Sequence, residues 1–129
     1  MRKDTENFIK SAAYDLDTAE HMLKTGRYIY VVFMCHLSIE KMLKAVAAEV
    51  NDKTPPRTHN LLYLAKLAGL SFSNVHFEFI SKINNASVVT RYPEDFGSLT
   101  ESFPEEVVSA YLDKTREVVG WLKQTEKLR

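Results

Sequence analysis

Two short stretches and one isolated histidine carry the residue types that could do chemistry. His36, Glu40 and Lys44 are spaced i, i+4, i+8, so on a helix they share one face, with Lys41 beside them. That polar stripe is the first place to look for function, although Glu40 and Lys44 could equally form a simple surface pair. The second stretch is Thr90-Arg91-Tyr92-Pro93-Glu94-Asp95. An arginine beside an aromatic ring, on a turn stiffened by proline, can offer a planar cation to a phosphate and a stacking face to a base. The structural alternative pairs Arg91 with Glu94, Asp95 or Glu40 and leaves Tyr92 as a cap on the core. His59 stands apart, placed by the pattern in the first turn of a short helix.

Several chemistries fail on spacing. No glutamate is followed by histidine at i+3, no HExxH occurs, and the single cysteine, Cys35, cannot complete a zinc set. No metal or cofactor is therefore expected. GxxxxGK[ST], GxGxxG and GxSxG are absent as well. Seventeen basic and seventeen acidic residues cancel, so any contact with nucleic acid has to be local rather than driven by a global field.

The elements that must position these residues are legible from periodicity. Tyr28 to Val50 is the longest apolar stretch. Its first eight residues are all apolar or aromatic, and Ile39, Met42, Leu43, Val46, Ala47 and Val50 continue at helical steps. Such a helix needs cover from several sides and is expected at the centre of a bundle. Before it, Asp4 or Thr5 caps a helix whose stripe is Ile9, Ala12, Ala13, Leu16, Ala19 and Leu23, and Gly26 stops it. The short link makes these two helices antiparallel neighbours.

Pro55 and Pro56 break the central helix. Thr58 then offers a cap for a short helix that turns Leu61, Leu62, Leu64, Ala65 and Ala68 inward before Gly69. A further helix carries Val75, Phe79, Ile80, Ile83 and Ala86 and ends near Thr90, ahead of Pro93. Thr90 to Phe103 has no period and reads as a functional or covering loop. Ser102-Phe103-Pro104-Glu105-Glu106 starts the last helix, with Val108, Tyr111, Leu112, Thr115, Val118, Val119 and Leu122 inward, and Lys123, Lys127 and Arg129 at its far end. The expectation is one all-α domain over residues 1–129, an up-and-down helical bundle of four long helices plus one short helix.

Gly and Pro number four each, which favours long regular elements. Cys35 lies in the most apolar run and reads as an inert core thiol. The N-terminus MRKDTENF has no hydrophobic leader and no run reaches the ~18 residues of a membrane span, so a soluble cytoplasmic protein is expected.

Taken in order, Asp15-Leu16-x-x-Ala19, Gly26-x-Tyr28, Phe33-x-x-His36-x-x-x-Glu40-Lys41-x-x-Lys44-Ala45, Thr58-His59-Asn60-Leu61 and Thr90-Arg91-Tyr92-Pro93-Glu94-Asp95 resemble the HEPN domain across nearly the whole chain. The resemblance implies a helical bundle that commonly dimerises and that in prokaryotes is often encoded beside a minimal nucleotidyltransferase. Many HEPN proteins are metal-independent RNases acting as toxins or defence effectors through Arg-x(4 to 6)-His. Here Arg91 is followed by Tyr-Pro-Glu-Asp-Phe-Gly-Ser, without a histidine in range.

The expected function is thus a non-catalytic HEPN module. It binds a nucleotide, a partner nucleotidyltransferase or both, and the setting that the resemblance suggests is a toxin–antitoxin or defence pair. Arg91, Tyr92, Lys41, Lys44, Glu40, His36 and His59 are its candidate ligand-binding residues. One alternative is an endoribonuclease acting on RNA, in which His36 or His59 replaces the missing histidine through space. Another is a plain dimerising scaffold without a ligand.

Overall fold

In the computed structural model, which describes residues 1–128, six helices account for most of the chain and no strand occurs among the described residues. They are α1 (Lys3–Lys24), α2 (Tyr28–Asn51), α3 (Leu61–Ala68), α4 (Asn74–Arg91), α5 (Phe96–Ser102) and α6 (Glu105–Lys123), followed by a 3₁₀ turn, Glu126–Leu128. Arg129, expected at the end of the last helix, lies outside the described residues.

The central position of α2 is observed. It packs against α1, α3, α4, α6 and the 3₁₀ turn. Ile39, Met42 and Leu43 are fully buried on it, each stabilising the fold by roughly 1.5 to 3 kcal/mol. Cys35 is buried too, and burial raises its thiol pKa to about 11, so it stays protonated. Its first turns depart from expectation: Tyr30 is 56% exposed and Phe33 and Met34 are half-buried, so this end is not covered all round.

Helices α1 and α2 form an antiparallel hairpin because a Schellman motif turns the chain between them. Gly26 takes φ 77°, the Gly26 amide donates to Leu23 O and the Arg27 amide to Met22 O. Ser38 Oγ donates to Ala12 O at 2.8 Å, fastening the seam. Ala13, assigned to the inner stripe of α1, is exposed, while Thr5 and Asp15 are buried. The cap of α1 is Arg2 rather than Asp4 or Thr5, with no side-chain hydrogen bond to the first-turn amides.

Three further boundaries differ from expectation, each for a local reason. Helix α3 begins two residues after His59, because Asn60 rather than Thr58 is its N-cap and accepts from the Leu62 and Tyr63 amides. Asn60→Ala should therefore destabilise the protein by about 1 kcal/mol in urea unfolding. Within the expected loop from Thr90 to Phe103, α5 forms over seven residues, started by Asp95 Oδ1 accepting from the Gly97 and Ser98 amides. Ser102 closes α5 instead of capping α6, whose N-cap is Pro104. There are thus four long helices and two short ones.

The seven inner residues assigned to α6 are all buried. Leu62 and Val75, assigned to the core, are both exposed. Lys127 does not serve its own helix end: its Nζ donates to Gly69 O at 2.9 Å, closing the C-terminus of α3.

Candidate functional site

Glu40 organises the site. It is 3% exposed, on the face of α2 that looks toward α4 and the α2–α3 loop. His59 Nδ1 lies 2.8 Å from Glu40 Oε1, Lys44 Nζ donates to Oε2 at 3.1 Å, and His36 Nδ1 stands 3.7 Å from Oε1. A surface Glu40–Lys44 pair would fit the spacing equally well, but the pair is shut inside, with the Lys44 side chain only 12% exposed. A buried carboxylate requires such partners, because unpaired it would carry the full cost of leaving water.

The residues around His59 explain how a loop comes to complete a helix face. Thr58 Oγ1 accepts from the Asn60 amide, Asn60 caps α3, and the amide of the buried Leu61 donates to Asn84 Oδ1 on α4 at 2.9 Å. The chain from Thr58 to Leu61 is pinned at both ends. His59 is held between them, its side chain 64% exposed although Nδ1 points inward.

His36 is 1% exposed, and its Nδ1 has no hydrogen-bond partner among the described residues. Burial lowers its pKa to about 4; Glu40 pulls the other way, and the nearby Arg91 charge adds to the lowering. His36 is therefore a neutral imidazole at pH 7.

Arg91, the last residue of α4, lies with its guanidinium over the Phe33 ring, 4.9 Å from the centroid. The alternative pairing with Glu94, Asp95 or Glu40 does not occur. Among the described residues no acidic side chain holds it, and its buried Nε finds no acceptor. Tyr92 is 79% exposed and does not cap the core. Together with Tyr30 and Thr90, these residues line an open groove of about 380 Å³.

Of the seven candidate residues, then, His36, Glu40, Lys44 and His59 form one cluster, and Arg91 adjoins it through His36. Tyr92 stands at the groove's outer edge. Lys41 is separate: it points to α1, where its Nζ lies 2.6 Å from Asp15 Oδ2. Phe33, Tyr30 and Asn84 were not among the candidates. Phe33 had a readable signal, since it sits i, i+3 and i, i+7 from His36 and Glu40; Asn84 had none, because its partner is 23 residues away. Among the described residues no group of three or more His, Cys, Asp or Glu is arranged to hold a metal ion.

A helical bundle with one buried carboxylate ringed by His59, Lys44 and His36, beside an arginine that has no ion pair among the described residues, is what fold and site define. The chain belongs to the HEPN family: the HEPN domain model matches residues 5–125. Two solved structures share the fold. TT1696 from Thermus thermophilus aligns with a TM-score of 0.81 over 95% of this chain and 98% of its own, at 19% identity. ST0689, described as an archaeal HEPN homologue, aligns with a TM-score of 0.73 over 95% and 97%, also at 19% identity. No curated protein matches in sequence. No helix among the described residues is long and apolar enough to cross a membrane.

Proposed function

We propose that this chain is a non-catalytic HEPN module of the cytoplasm whose Arg91 groove receives the phosphate of a nucleotide. The nucleotide is free or is presented by a partner nucleotidyltransferase of a toxin–antitoxin or defence pair. The observation that carries this reading is Arg91 itself: a guanidinium stacked on Phe33, with a buried Nε lacking an acceptor, beside an exposed tyrosine. A phosphate supplies the missing acceptors with charge-assisted hydrogen bonds, and Tyr92 or Tyr30 offers the base a ring. Tyr30 and Tyr92 leave aromatic surface exposed on the groove, which suits the homodimer that HEPN domains commonly form.

The test is the melting temperature with and without ATP, GTP and their monophosphates, beside Arg91→Ala. A ligand at 100 times its Kd adds ~2.7 kcal/mol, which for a chain of this size is a rise of roughly 6 to 15 °C. The rise should vanish in Arg91→Ala. No rise with any nucleotide would leave the partner-binding and scaffold readings, which co-purification then separates.

One observation favours the ribonuclease alternative. His59 has Nδ1 fixed by Glu40 at 2.8 Å and an exposed side chain, the arrangement in which a carboxylate orients a general base. His36, at 1% exposure, is closed to substrate. This alternative requires cleavage of single-stranded RNA in EDTA that is lost in both His59→Ala and Arg91→Ala; purified protein that leaves the RNA intact rules it out.

A further inference from the structure

Val75 belongs by its spacing to the core stripe of α4, yet it is 59% exposed, because α4 and α6 part over their N-terminal halves. The two helices cross rather than run side by side: His76 meets Trp121, whereas three residues further along α4 Phe79 meets Tyr111, ten residues back along α6, with ring centroids 5.6 and 5.8 Å apart. Between them lies a groove of about 420 Å³, with Val75, Phe79, Val107, Ala110 and Tyr111 as its apolar walls. That volume lies in the range of small-molecule sites.

Its length is also that of a small molecule. Val75 to Lys82 and Glu106 to Lys114 are stretches of seven and eight steps, roughly 11 to 12 Å at the helical rise, too short to seat more than two turns of a partner helix. The polar groups converge at one place. Lys82 Nζ lies over the Tyr111 ring, 5.4 Å from its centroid, and is in no ion pair among the described residues. Tyr111 is 6% exposed; burial raises its pKa, and no hydrogen bond contributes. Its phenol therefore stays a donor. Lys114 stands on the α6 rim, and Glu78 and Glu106 complete the lining. Glu106 also lies close enough to Tyr28 to act on that phenol.

We propose that the α4–α6 groove is a binding site for a small apolar carboxylate, its hydrocarbon or aromatic body against Phe79, Val107 and Tyr111 and its carboxylate on Lys82 and the Tyr111 hydroxyl. A carboxylate fits this end because both groups donate and neither has an acceptor among the described residues, Lys82 meeting only the Tyr111 ring. The site is nine residues along α4 from Arg91, roughly 13 Å, and stands whether or not Arg91 takes a nucleotide.

The experiment titrates the full chain with 4-phenylbutyrate, and in parallel with 4-phenylbutylamine, following backbone amides by heteronuclear NMR. Saturable shifts confined to 75–82 and 107–114 are expected for the carboxylate, with affinity about tenfold weaker in Lys82→Glu and abolished in Ala110→Trp, which fills the groove from an exposed position. Dispersed spectra of both variants confirm that they fold. Absence of saturable shifts, equal binding of the amine, or shifts unchanged in Ala110→Trp would overturn the proposal. So would sedimentation showing a dimer that Ala110→Trp dissociates, since the groove's occupant would then be a second copy.

Discussion

Glu40→Ala should lower the free energy of unfolding by about 3 to 5 kcal/mol, a fall in Tm of roughly 10 to 20 °C for a chain of this size. Two partners lose their acceptor and a third its neighbouring charge at once. Lys44 remains nearly enclosed with a charge and no counterion, His59 loses the bond that draws it inward, and His36 loses the one carboxylate beside it. The cost comes less from the attraction removed than from the buried ammonium left behind. Two companions separate these contributions. Glu40→Gln keeps an acceptor for His59 and should lose less. Glu40→Met with Lys44→Met removes both charges and should recover much of the loss, since a buried pair often does no better than apolar side chains of similar volume. Urea unfolding of the four proteins checks this, and a loss below about 1 kcal/mol for Glu40→Ala would show that water reaches the cluster. The same reasoning makes Arg91→Ala the cleaner probe of ligand binding: among the described residues Arg91 has no ion pair to break.

What could be read from the residues follows from how far each signal reaches along the chain. The inner face of α6 was complete in the sequence because seven residues at helical steps all meet the core. The central place of α2 was equally plain, for no other stretch carries so much apolar surface. The short α5 was not, because seven residues show no period and its start depends on one Asx cap at Asp95. Val75 was misplaced for a different reason: periodicity says which face of α4 is apolar but not that α6 diverges from it.

In the site, sequence spacing found His36, Glu40 and Lys44 because they lie on one helix. His59 and Arg91 were found by their neighbours' chemistry, and their approach to the same cluster depends on the loop from Thr58 to Leu61 and on the length of α4. Lys41 could not be told from Lys44 by charge alone. Its pairing with Asp15 needs the α1–α2 hairpin to exist. The resemblance to HEPN rests largely on such fastenings: Asp15, Gly26, Thr58, Asn60 and Leu61 each have a structural task here.

Stability should also fall by up to about 3 kcal/mol between pH 7 and pH 4, and His36 should account for that part of the profile. In the unfolded chain its imidazole takes a proton near pH 6.5, whereas in the folded protein burial delays this to about 4. Within the window the unfolded state binds more protons, so its population gains as pH drops. Above pH 6.5 the group is neutral in both states and contributes no slope; below about 4 it is charged in both and adds nothing further. His36→Gln, which does not titrate, should flatten the curve between pH 6.5 and 4 whatever its own stability at pH 7. A second decline at lower pH should survive in both proteins. There Asp4, held down by its hydrogen bond to Arg2, Glu49 by the Arg2 amide and Asp95 by Ser98 take up protons. Urea midpoints measured from pH 8 to about pH 2 separate the two phases, and an unchanged slope in His36→Gln would mean that the imidazole is hydrated in the folded protein. Filling the Arg91 groove with phosphate should also narrow the window, because an anion there offsets the guanidinium charge that helps keep His36 neutral.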